Sequence, residues 1–171
     1  MKKILLLLIS LILISCSDSN DSDEIVGLNF DQNTYDQNRE LWDEIKISNY
    51  TFSQEYSSLS IGTQPKLTST VLNSELDSIF IEPKYAYNTP IEEFTYFGTV
   101  DDVFQYIEWS TGYYEDIINS NQSNMKGVEF DITYDETYHY PTEIKIRGNY
   151  FEPVYGGLSV QIIISDFEVN Q

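Results

Sequence analysis

Apolar and polar positions along the chain switch between two periods, one near 3.6 and one of 2, and each switch marks a change of element. Tyr35, Leu41, Trp42 and Ile45 fall near one side of a helix. Thr34-x-x-Gln37 before them has the form of a capping box, which predicts a helix over residues 34–47. From residue 49 the period is 2: Tyr50, Phe52 and Tyr56 alternate with Thr51, Ser53 and Glu55, the pattern of a half-buried strand. Residues 67–72 and 76–81 read as two further strands around Asn73-Ser74, where asparagine tolerates left-handed backbone. Residues 82–98 are the least regular and carry Tyr85, Tyr87, Phe94, Tyr96 and Phe97. Long aromatic loops serve as binding surfaces or as covers over a sheet edge. Thr99 then caps a second helix, with Asp101 and Asp102 in its first turn, favourable to the helix dipole. Val100, Val103, Phe104 and Ile107 form its stripe, and Tyr114 and Ile118 extend it to about Asn119.

The clearest pairing follows. Val128, Phe130, Ile132 and Tyr134 alternate with Glu129, Asp131 and Thr133, and after a turn at 135–140, Ile144 and Ile146 alternate with Glu143, Lys145 and Arg147. Setting Tyr134 opposite Thr142 places Ile132 beside Ile144 and Phe130 beside Ile146. The same register sets Asp131 against Lys145 and Glu129 against Arg147. A slip of two residues would oppose Asp131 to Glu143, and like charges directly across a ladder are destabilising. Residues 158–169 form the last strand, whose apolar parity shifts between Ile162-Ile163-Ile164 and Phe167, a sign of a bulge. The expected fold is α+β: an antiparallel sheet of about six strands with two helices packed on one face, in the order α-βββ-α-βββ.

The first 16 residues, MKKILLLLISLILISC, change the picture from fold to location. Two lysines, a short apolar run and a small residue before the cut describe an export signal. The run is well short of the ~20 residues a membrane helix needs. Leu13-Ile14-Ser15-Cys16 resembles the lipobox of bacterial lipoproteins, in which a signal peptidase cuts before a lipidated cysteine. The expected division is therefore a signal peptide at 1–15, a lipidated Cys16 with an acidic tether over 16–33, and one α+β domain over 34–171. The tether, SDSNDSDEIVGLNFDQ, is rich in Ser, Asp and Asn. It is similar, in degenerate form, to segments that direct lipoproteins to the cell surface. The expected location is the bacterial cell envelope, on the periplasmic or surface side of the outer membrane.

Charge narrows the partners. The chain carries 9 Lys+Arg against 28 Asp+Glu, and loss of Lys2 and Lys3 with the signal leaves a net charge of −21. Such a surface repels phosphate backbones, which argues against nucleic acid, and it argues against lying flat on anionic lipid. The lipid, rather than a protein face, is expected to hold the chain to the bilayer. Cys16 is the one cysteine, so no internal disulfide and no thiolate metal cluster is available.

Leu41-Trp42 with Ile47 and Tyr50-Thr51-Phe52, then Thr99-Val100-Asp101-Asp102-Val103-Phe104, then Tyr134-Asp135 with Tyr140-Pro141-Thr142-Glu143-Ile144, resemble a family catalogued as domain of unknown function 6174. The resemblance covers most of residues 39–169. It implies a secreted protein or lipoprotein with no established activity. This chain departs from the family pattern in lacking the cysteines that often follow the Tyr-x-Phe strand, so no redox role carries over. The recognisable residues read as structural: Trp42 and Phe104 as core anchors, Asp135 and Pro141 as turn formers.

Few residues point to chemistry. His139 is the one histidine and has no Ser or Cys motif around a partner. Glu92-Glu93 and Asp101-Asp102 resemble the paired carboxylates of glycosidases, yet chance adjacency is expected among 28 acids. No D-x-D-x-D-G calcium loop is present, and Gly156-Gly157 lacks the strand–helix setting of a phosphate loop. Asp77-Ser78-Ile79 resembles an O-glycosylation acceptor of exported bacterial proteins. The expectation is a monomeric, non-catalytic envelope lipoprotein that presents an acidic, tyrosine-rich surface to a protein or glycan. Tyr85, Tyr87, Tyr96, Tyr138 and His139 are the binding candidates, with no catalytic or metal-ligating residue and no cofactor. The alternatives are an acid-pair hydrolase of envelope or extracellular glycans and a calcium-dependent binding module.

Overall fold

The alternating stretches pair into a single sheet, and both helical stripes pack on one of its faces. The computed structural model describes residues 26–81, 94–120 and 123–170. In chain order the elements are β1 (Gly27–Asn29), α1 (Gln32–Ile45), β2 (Tyr50–Ser58), β3 (Gly62–Thr63), β4 (Leu67–Leu72), β5 (Glu75–Ile81), α2 (Val100–Asn119), β6 (Met125–Tyr134), β7 (Pro141–Tyr150) and β8 (Ser159–Val169). The strand order is β1-β6-β7-β8-β2-β4-β5, with β3 paired to β2. All the pairings are antiparallel except β1 with β6.

The sheet is therefore mixed and has eight strands, where six antiparallel ones were expected. Both additions, β1 and β3, are too short to show a period. Gly27–Asn29 falls in the stretch read as tether, but Leu28 and Phe30 pack against the core and the three residues close the edge of β6. The start of α1 also differs. Asp31, not Thr34, is its N-cap, accepting from the Thr34 N–H at 3.0 Å and from the Thr34 hydroxyl at 2.7 Å. The helix ends at Ile45 rather than near Ile47, because Lys46 turns left-handed at φ 55°. At α2 the expected cap is present in full: Thr99 Oγ1 accepts from the Asp102 N–H, and the Asp102 carboxylate accepts from the Thr99 N–H.

Directly opposite residues continue the helix-facing side from strand to strand in successive rungs: Phe130–Ile146–Val160 across β6, β7 and β8, Ile132–Ile144–Ile162–Tyr56 on into β2, and Ile164–Gln54–Leu67 from β8 through β2 to β4. Trp42 of α1 meets Tyr50 edge-on, and the Val100 N–H of α2 donates to the Tyr50 hydroxyl at 3.0 Å. Trp42 and Phe104 are buried, each large enough to contribute roughly 1.5–3 kcal/mol by removing apolar surface from water. The hairpin keeps the charge-specified register from Glu129–Arg147 to Ile132–Ile144. Only its mouth differs: a bulge after Thr133 pairs Tyr134 with Pro141 instead of Thr142. Lys145 bonds Glu143 on its own strand at 2.8 Å, although Asp131 lies opposite it in the ladder. The expected bulge in β8 lies opposite Phe52, where Asp166 adopts φ 50° and returns Phe167 to the buried face against Tyr50.

Candidate functional site

Helix α2 buries Val100, Val103, Phe104, Ile107 and Ser110. Trp109 stands two positions after Ile107, about 200° round the helix, and points to solvent with 60% of its surface exposed. Tyr113, one turn on, is also exposed. The two rings stack at 5.1 Å with 14° between their planes, and Tyr106 adjoins Trp109 at 6.2 Å. A stacked aromatic pair therefore stands on the outer side of the helix, with the half-buried Tyr106 tilted at 35° beside it as the base of the strip.

Its base is rigid. Tyr106 meets Phe97 edge-on at 5.3 Å, and Phe97 is held by the buried Gln54. The Gln54 side chain accepts from the Phe97 N–H at 2.7 Å and donates to the Phe97 carbonyl at 2.7 Å and to Ser69 Oγ at 2.9 Å. Ser69 donates in turn to the same carbonyl at 2.9 Å. Behind the strip, burial pushes the Tyr106 phenol up to about 12 and raises Tyr114 as well, with neighbouring tyrosines adding to the effect. Both phenols stay protonated at neutral pH. A shallow cleft of about 230 Å³ opens beside Tyr56 and Tyr114 and is floored by Gly157 and Ser159.

The sequence-derived candidates do not form a common site. Cys16, Tyr85, Tyr87 and the Glu92-Glu93 pair lie outside the described residues. Tyr96 is half-buried, next to Thr95, whose N–H donates to Gln64 beyond β3. Tyr138 and His139 sit in the β6–β7 turn at the far end of the sheet. There Asp135 accepts from the Thr137 and Tyr138 N–H groups, Tyr138 packs on Phe167 at 5.2 Å, and His139 takes φ 62°. Those contacts make the turn. Asp101 and Asp102 are occupied too, the first by Arg39 and the second by the cap. Asp77 and Ser78 are exposed on the edge strand β5, and no helix follows Gly156-Gly157. Among the described residues no group of three or more His, Cys, Asp or Glu is arranged to hold a metal ion.

Sequence reasoning missed Trp109 and Tyr113. The available signal was a tryptophan on the polar side of a helix whose apolar stripe was already complete without it.

Comparison with protein families matches residues 34–150 to DUF6174, described as a family of unknown function. No curated protein and no solved structure matches the chain.

Proposed function

The chain belongs to the DUF6174 family of unknown function, and we propose that this member is a non-catalytic binding module of the bacterial envelope, anchored through a lipid on Cys16. The α2 strip of Tyr106, Trp109 and Tyr113 is its contact surface for a protein or glycan. The observation that carries the reading is the stacked, solvent-facing Trp109–Tyr113 pair. Tyrosine and tryptophan give large contact area at small entropic cost, and a strip whose base is already fixed has little order left to lose on binding. Of the two acid pairs singled out in the sequence, Asp101-Asp102 is committed to Arg39 and to the helix cap, which favours binding over hydrolysis by that pair.

Trp109 provides its own probe. In a Trp42→Phe background it is the one remaining tryptophan, and its emission is titrated with envelope glycan fractions and with envelope protein fractions. The reading expects a saturable change with one class that Trp109→Ala or Tyr113→Ala abolishes while the fold is retained. Saturable binding that survives both substitutions moves the contact surface elsewhere, and hydrolysis of the glycan fraction overturns the non-catalytic reading.

A further inference from the structure

The described chain begins at Val26 and enters β1, which runs parallel to β6, so the entry point lies at the end of the sheet where β6 starts. Strand pairing places two loops at that same end: residues 59–61 after β2 and residues 151–158 between β7 and β8. Val26, Leu59, Ile61, Phe151 and Tyr155 there are each more than half exposed, Tyr155 completely. These side chains are displayed by a built loop. Tyr150 turns inward, and its hydroxyl accepts from the Leu158 N–H at 2.7 Å. A Cβ at Gly157 would meet the Tyr150 ring at 2.9 Å, so the glycine permits that close approach. Asn124, just before β6, pins the loop, its carbonyl accepting from Phe151 N–H and its side chain bonding both the N–H and the carbonyl of Glu152.

Charge divides the same way. In a chain with 28 acids, residues 59–63, 125–128 and 151–158 hold one, Glu152, together with Lys126, whose ammonium lies 5.9 Å from the Phe151 ring centre. The opposite end carries Asp43, Glu75, Asp101, Asp102, Asp135, Glu136, Asp166 and Glu168 around the turns and helix ends that meet there. The two rim loops and the start of β6 are thus themselves poor in acids, although Asp18, Asp21, Asp23 and Glu24 precede Val26 in the chain and Glu115 and Asp116 lie in the last turns of α2.

We propose that this apolar rim, Leu59, Ile61, Phe151 and Tyr155, seats in the headgroup–acyl boundary of the bilayer that holds the N-terminal lipid, so that the domain stands with its acidic end outward. The inference rests on the Cys16 anchor of the proposed function. Nine residues lie between Cys16 and Val26, and the ten steps reach at most about 36 Å. Val26 stands at the rim end of β6, so the anchored chain enters the domain from the rim side. Aromatic rings favour that boundary, the apolar body buried and the polar tip wet. Contact through an uncharged rim does not require the anionic-lipid attraction that the net charge forbids.

The test uses the full lipidated chain in phosphatidylcholine–phosphatidylethanolamine vesicles with brominated acyl chains. A preparation whose mass shows no acyl group is instead coupled through Cys16, its one thiol, to a maleimide headgroup, so a failed anchor and a failed rim read out separately. Tyr155→Trp introduces a reporter at the rim, and Glu136→Trp introduces one in the exposed turn at the acidic end. The proposal expects bromine to cut the added emission of Tyr155→Trp by about half, leaving Glu136→Trp unaffected, with Phe151→Asp reducing the quenching at position 155. Equal quenching at both positions, or none at 155 in tethered protein, overturns it. A blue shift at 155 caused by envelope protein and not by vesicles also overturns it, in favour of a protein partner.

Discussion

The Gln54 clamp links the interior to the aromatic strip, and its removal has a calculable cost. Replacing Gln54 by leucine keeps the side-chain volume but deletes the bonds to the Phe97 N–H, the Phe97 carbonyl and Ser69 Oγ. Each is worth about 0.5–1.5 kcal/mol net, and the buried Phe97 N–H is left without an acceptor, a further penalty of about 1–3 kcal/mol. The Phe97 carbonyl keeps Ser69 as a donor. The expected loss is about 3–5 kcal/mol, or roughly 10 °C in melting temperature for a domain of this size. Ser69→Ala is the internal control: it removes one donor to Phe97 and one acceptor of Gln54 but strands no backbone group, so it should cost about 1–2 kcal/mol. Urea unfolding followed by circular dichroism measures both, and amide hydrogen exchange at Phe97 reads the clamp directly. A Gln54→Leu variant no less stable than Ser69→Ala, or with undiminished protection at Phe97, refutes the reasoning.

Burial raises the phenol pKa of Tyr50, Tyr106 and Tyr140 to about 12, and raises Tyr114 and Tyr134 as well. The unfolded chain then loses these protons first, so stability that is fully present below pH 10 falls as pH rises through the folded values, and the part of the tyrosinate absorbance that these five rings supply should appear together with unfolding. Thr99→Ala removes the hydroxyl half of the α2 capping box and should cost about 1 kcal/mol in urea unfolding, with Thr99→Ser recovering most of it. Glu129→Arg sets like charges opposite Arg147 and should destabilise by about 0.5–1 kcal/mol, which Arg147→Glu in the same chain restores if the hairpin register is right. Trp109→Ala should change stability by no more than about 1 kcal/mol, since it loses a ring contact on solvent, and a larger loss would mark the residue as structural.

What the sequence revealed and what it hid divide along physical lines. Elements long enough to repeat a period were legible: β2, β4, β6, β7, β8 and α2 lie within a few residues of their expected places. Opposed charges fixed the β6–β7 register, and the parity shift before Phe167 located the β8 bulge. Elements shorter than a period were not legible, so β1 and β3 were missed. β1 is a parallel edge strand made of three residues in an acidic stretch, and its stability comes from Leu28 and Phe30 meeting a core that sequence neighbours do not reveal. The aromatic strip was hidden because α2 was read for what it buries. The outward residues Trp109 and Tyr113 add nothing to that stripe, and of the tyrosines that drew notice Tyr138 is held by a turn. The rim was hidden for another reason: its two loops are about 90 residues apart in the chain, and only the β2–β8 and β7–β8 pairings bring them together.

The claim on which orientation and location both depend is a lipid on Cys16. It is tested most directly by the intact mass of the chain recovered from cells, together with the fractionation of Cys16→Ala. The account predicts a membrane-bound chain that begins at Cys16 and is heavier by its acyl groups, and a Cys16→Ala chain that leaves the membrane fraction. A chain in the soluble fraction with an unmodified Cys16 would contradict it.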